Sequence, residues 1–264
     1  MMPPRLYKYE PFNELTLRNL KTQSIYFSSP KNFNDPYDCA LTAPIQLPST
    51  EELRLIREHY LSLKDDVPDE VRENLKNLTD DQLLKIFEST GSSIMESLGE
   101  EEKGVSCFSE TNDNLVMWSH YGGRYKGFCL EFDTAFAPLT KARKVEYVDK
   151  VPTIMLSDLM LEKGADHFLK LLLTKSKAWE YENEWRVLHK EAGTLFSYEP
   201  EALTGIYFGP EIAQENLEII ALIMLGQNPG VKFYQGSRSA VEFKVEFKEV
   251  NYTPHVEAKR LGLI

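Results

Sequence analysis

The spacing of short apolar runs constrains this chain more than any other feature. "RLYKYE" (5–10), "SIYFS" (24–28), "GVSCFSE" (104–110), "GFCLEFD" (127–133), "KVEYV" (144–148), "EWRVLHK" (184–190), "GIYFGP" (205–210), "VKFYQ" (231–235) and "VEFKVEF" (241–247) are long enough for strands and too short for buried helices. Helical patterns separate some of these runs and not others. Phe12 and Leu15, with Leu17 or Leu20, mark a short helix after the first run, and residues 212–225 form another between two late ones. One strand–helix–strand step among several strand–strand steps argues an α+β fold, with a mixed, mostly antiparallel central sheet and flanking helices.

Residues 49–102 change character. Ser49-Thr50 before "EELRLIREHYLSL", and Thr79 before "DDQLLKIFESTGSSIMESL", are capped starts of amphipathic helices. The apolar stripes are Leu53, Ile56 and Tyr60 in the first, and Leu83, Ile86 and Phe87 in the second. The block reads as a helical insertion in a single α+β domain spanning 1–264. "NDNLVMWSHYGG" (112–123) reads as a helix capped at Asn112 or Asp113, and residues 153–175 as two helices broken near Gly164.

The chain carries 41 acidic against 30 basic residues, a net charge of −11, which argues against a broad nucleic-acid-binding face. Cys39, Cys107 and Cys129 lie far apart and offer neither a zinc knuckle nor a disulfide framework. The longest aliphatic run, "IIALIML" at 219–225, is too short to span a bilayer, and the N-terminus has no apolar signal region. A cytoplasmic protein without a membrane partner is the expectation.

Three constellations could carry chemistry. In "EYENEWR" (180–186), an extended strand would project Glu180, Glu182, Glu184 and Arg186 from one face at steps of about 7 Å, with Tyr181, Trp185 and Val187 on the other. Such a row is either a charge ladder on an edge strand or a pair of carboxylates that stabilise positive charge in a cleft. In "FNDPYDC" (33–39), Asn34 and Asp35 before Pro36 favour an Asx turn, and Asp38 follows closely. Turn chemistry and a ligand-binding loop both fit. In residues 105–132, a strand ends at Ser109-Glu110 and a short helix carries Met117, Trp118, His120 and Tyr121. Its histidine is either a boundary residue or a general base, and mid-strand Cys107 reads as inert core.

The motifs "LYKY", "IYFSSPKNFNDPYDC", "CFSE…NLVMWSHYGGRYKGFCLEF", "KSKAWEYENEWRVL" and "IYFGPEI" follow one another in an order that resembles the bacterial domain of unknown function 2971 family. That resemblance implies no established activity. A second, more distant resemblance is to ADP-ribosyltransferases: a basic residue on the first strand (Arg5 or Lys8), then serines on a later strand (Ser106, Ser109), then a Glu-x-Glu pair (Glu182, Glu184). The Ser-Thr-Ser triplet of that pattern is missing here. The resemblance implies NAD as substrate and no metal. Glu184 would stabilise an oxocarbenium ion and Glu182 would orient the acceptor, with Tyr121 and His120 as further catalytic candidates. Arg5, Lys8, Asn34, Asp35, Ser109, Trp118 and Arg186 would hold the cofactor. A protein or nucleic acid would be the acceptor, and a toxin or phage-defence effector would have an antitoxin or defence-system partner. Two other classes stay open: a metal-dependent nuclease or hydrolase using Asp35, Asp38, His120 and the Glu pair, and a non-enzymatic module that binds a small molecule.

Overall fold

The computed structural model describes residues 1–40, 43–63, 68–89 and 103–263, with the backbone alone at 40 and 162–167. Its strands are β1 Arg5–Glu10, β2 Ser24–Phe27, β3 Ile45–Gln46, β4 Gly104–Ser109, β5 Phe128–Asp133, β6 Arg143–Lys144 and β7 Glu146–Val148. They continue as β8 Ile154–Met155, β9 Thr174–Ser176, β10 Glu184–His189, β11 Thr194–Ser197, β12 Leu203–Phe208, β13 Lys232–Arg238 and β14 Val245–Val250. The chain divides into two compact units, one of residues 1–29, 103–145 and 178–264, the other of residues 30–102 and 146–177.

The first unit is built on an eight-stranded sheet in the order β14-β13-β12-β5-β1-β4-β10-β6. Only β12 and β13 run parallel in it, joined through helix Gln214–Gln227; the remaining neighbours are antiparallel. The fold is therefore α+β around a mixed, mostly antiparallel sheet. Alternation along the strands separates two faces. Leu6, Phe108, Phe132, Trp185 and Ile206 point to one face, where Leu20 of helix Glu14–Lys21 and Ile220 and Met224 of helix Gln214–Gln227 cover them. Tyr9, Cys129 and Tyr207 point to the other, against Met117, Trp118 and Val245. Helix Glu14–Lys21 starts on a reciprocal cap: the Asn13 side chain accepts from the Thr16 N–H, and Thr16 accepts from the Asn13 N–H.

In the second unit, β3 pairs with β8 and β7 with β9, both in parallel. Helices Thr50–Ser62 and Asp69–Asn77 and helical residues 80–89 pack Leu53, Ile56, Leu75, Leu83 and Phe87 around Leu156. Ser49 and Glu52 form the expected capping box. Ile86, assigned to the apolar stripe by its spacing, is 45% exposed. The helical pattern expected over 90–98 lies outside the described residues. Among the described residues no helix is long and apolar enough to cross a membrane.

Several element boundaries differ from the sequence pattern. Residues 153–175 contain β8, a helical turn Leu156–Asp158, a π-helical turn Leu159–Lys163, helix Gly164–Leu172 and then β9. Gly164 thus marks a change of helical pitch and not a break. The last strand begins at Val245, four residues after the expected Val241. An alternating run looks the same after any even shift, and the tertiary bond from the Val245 N–H to the Asp113 carbonyl marks the true start.

Candidate functional site

The sequence pattern places residues 180–186 on one strand; the structure does not. Residues Lys177–Glu182 wind into a 3-10 helix, Asn183 sits at φ +45°, and β10 begins only at Glu184. Asparagine tolerates this left-handed conformation better than most side chains. Glu180 is consequently exposed and does not share a strand face with Glu184 and Arg186. Nor is β10 an edge, since β4 flanks it on one side and β6 on the other. The charge-ladder expectation fails for the same reason: Glu182 and Glu184 are each 3% exposed and Arg186 is fully buried.

Charges this deep need partners. Glu184 accepts from Arg186 through both carboxylate oxygens, from Nε at 2.7 Å and Nη2 at 3.0 Å. Glu182 accepts from the Tyr121 hydroxyl at 2.7 Å. Three contacts to backbone carbonyls hold the turn that carries Glu182. The Ser109 hydroxyl donates to the Glu182 carbonyl at 2.6 Å, the Glu110 N–H to the Asn183 carbonyl at 3.1 Å, and Asn114 Nδ2 to the Tyr181 carbonyl at 3.2 Å.

Asn114 also caps helix Leu115–His120, its Oδ1 accepting from the N–H groups of Val116 and Met117. One carboxamide therefore fastens the helix leading to Tyr121 to the turn bearing Glu182. His120 closes the other end of that helix: its Nδ1 lies 3.3 Å from the Tyr181 hydroxyl, and its ring centroid is 6.0 Å from that of Trp179. The result is a carboxylate, two phenols, an imidazole and an indole gathered at one turn.

The other candidate residues are distributed unevenly around this arrangement. Direct strand partners point to one sheet face, so the pairings Tyr7 with Ser109 and Ser109 with Glu184 place Arg5, Ser109, Glu184 and Arg186 on a common face. Lys8 projects to the opposite face, over the Phe108 ring and toward the Cys107 carbonyl. Between the two basic residues left open by the sequence, only Arg5 shares the face of the Glu pair. Arg5 is itself engaged, bonding Asp133 at 2.6 Å and approaching Glu131 at 3.7 Å. Glu131 in turn accepts from the hydroxyls of Tyr7, Thr204 and Tyr207. Burial, with Glu131 acting in the same direction, raises both tyrosine hydroxyls far above their ordinary range and keeps them protonated donors.

Trp118 is a core residue, fully buried edge-on to Tyr9, its indole N–H on the Asn112 carbonyl at 2.7 Å. Its ring is not a surface on which a ligand could stack. Ser109 is fully buried and its hydroxyl holds the Glu182 backbone, so it positions the turn. Asn34 and Asp35 belong to the second unit, where Asp35 accepts from the Tyr37 N–H in the Asx turn its sequence favours. Asp38 is buried there against Lys175 at 3.2 Å. Among the described residues no group of three or more His, Cys, Asp or Glu side chains is placed to hold a metal ion.

Sequence reasoning missed Asn114, Trp179 and Asn183. The signal for Asn114 is present, since an asparagine begins that helix, but three polar residues precede the apolar run and the cap expected at Asn112 or Asp113 falls on the third.

Residues 117–187 match a family model described as "Protein of unknown function (DUF2971)". The matched stretch includes Tyr121, Glu182, Glu184 and Arg186, and ends before "IYFGPEI". No curated protein and no solved structure matches the chain.

Proposed function

We propose that this chain, whose residues 117–187 match the DUF2971 family model, consumes NAD as an ADP-ribosyltransferase or NAD glycohydrolase, with the turn at Tyr181–Asn183 at its active site. The observation that carries this reading is the 2.7 Å bond from the Tyr121 hydroxyl to a Glu182 carboxylate only 3% exposed, two residues from a second buried carboxylate. Carboxylates held in fixed orientation stabilise a cation that develops in a transition state, because no reorganisation is needed when the charge appears. Cleavage of the bond between nicotinamide and ribose develops such a charge on the sugar.

In this reading Glu184, oriented by Arg186, faces the ribose, and Glu182, oriented by Tyr121, accepts the proton of the incoming nucleophile. His120, Trp179 and Tyr181 offer the aromatic wall for a ring. The acceptor is water, a protein or a nucleic acid. A cytoplasmic effector in toxin or phage-defence systems is the setting in which such an activity makes sense.

The test is release of nicotinamide from NAD by the purified protein. Tyr121→Phe removes one hydroxyl and leaves the fold, and should slow release about tenfold; Glu182→Gln should slow it on the order of a hundredfold. Absence of nicotinamide from the wild-type reaction, or undiminished release by Glu182→Gln, would overturn the reading.

A further inference from the structure

A cleft of about 430 Å³ opens in the first unit beside Asn183, lined by the 111–116 segment and by the tip of the β13–β14 hairpin. Its walls are part apolar, from Leu115, Val116 and Phe243, and part polar, from Thr111, Asp113 and Asn183. A volume of this size with a few convergent polar groups on apolar walls is typical of small-ligand sites.

Two features of the lining lack an explanation within the fold. The Thr111 hydroxyl oxygen is buried without a hydrogen-bond partner, although both backbone groups of Thr111 are anchored, its N–H on Ser109 and its carbonyl by Tyr9. Phe243 at the rim is 98% exposed, an aromatic ring contributing almost nothing to the core. The N–H groups of Val116 and Met117 are already taken by Asn114, so the helix end supplies nothing here.

The Asp113 carboxylate accepts no hydrogen bond and has no ion-pair partner within 4 Å among the described residues, and it acts on the Lys244 ammonium only through space, while Lys244 is itself paired with Glu242. An exposed aromatic face beside such an acceptor suits a planar ring with amino hydrogens on its edge. We infer that this cleft is a binding subsite for an amino-bearing nucleobase, stacked on Phe243 and read by the Asp113 carboxylate. The inference stands apart from the NAD reading, because a base could come from a dinucleotide or from a nucleic acid.

The full chain is titrated with adenosine, cytidine and uridine by calorimetry. Adenosine and cytidine should bind saturably. Uridine, with a carbonyl where cytidine has its amino group, should bind about tenfold more weakly or worse. Phe243→Ala and Asp113→Asn, both surface changes, should each weaken adenosine about tenfold. Equal binding of cytidine and uridine, wild-type affinity in Phe243→Ala, or no saturation by any nucleoside would overturn the assignment. Adenosine binding without nicotinamide release would leave the subsite standing and remove the NAD reading.

Discussion

Arg186 illustrates the residue scale: a cation on a strand interior, fully buried and bonded through two nitrogens to a carboxylate two residues away. Removing one partner of such a pair strands the other in a medium of low dielectric. Glu184→Gln should therefore lower stability by about 3 kcal/mol in urea unfolding, whatever its effect on activity. An unchanged midpoint would show that the pair is solvated. That cost makes Glu184 a poor probe of catalysis taken alone, and it is why Tyr121→Phe is the cleaner one. Asn114 separates two roles in the same way. Asn114→Ala loses both the cap and the bond to the Tyr181 carbonyl and should cost about 1–2 kcal/mol. Asn114→Asp keeps a cap oxygen but sets a carboxylate against that carbonyl, so its helix should persist in circular dichroism while Glu182 loses its placement. The Tyr121 partner was beyond reach of the sequence for a plain reason: it lies 61 residues from Glu182 in the chain.

Among elements, the turn at Tyr181–Asn183 and the helix Thr50–Ser62 each include one local device. Asn183 at φ +45° predicts that Asn183→Gly is tolerated, whereas a branched side chain such as Asn183→Val costs about 1–2 kcal/mol in thermal unfolding. At the start of the helix Thr50–Ser62, the Ser49 hydroxyl, then the Ser49 N–H, then the Ser157 hydroxyl hold the Glu52 carboxyl below its ordinary range. A folded-state pKa below the unfolded one means that the unfolded chain binds more protons. The contribution is then present above the ordinary glutamate pKa and is lost as pH falls through the lowered folded value. Glu52→Gln should flatten the acid limb of the stability profile, and an identical limb would show that the box carries none of it. Capping boxes and amphipathic stripes were legible because their partners sit three or four residues apart. Register in alternating strands was not, since Val241, Phe243, Val245 and Phe247 all fit the same pattern and only the last two are in β14.

Across the whole molecule, the sheet order predicts a gradient of protection. Strands β5 and β1 lie inside the eight-stranded sheet, and β14 and β6 are its edges. Amides of Cys129–Phe132 should be among the slowest to exchange with deuterium and those of β14 much faster, because inner strands open only on unfolding of the sheet. Equal rates in the two would show that the order is wrong. The α+β class, most of the strands and the apolar face of each were determined by the sequence itself, because periodicity and capping are properties of neighbouring residues. What only the tertiary structure decided is which polar groups meet. Residues 177–183 carry strand-like alternation, yet they wind into a turn whose carbonyls are bound by Ser109, Glu110 and Asn114 from about 70 residues away. Those distant donors put Glu182 beside Tyr121, and the pairing of β10 between two other strands buries Glu184 with Arg186. A carboxylate's environment is set by whatever the fold brings within a few ångströms of it, and the chain around it says little about that.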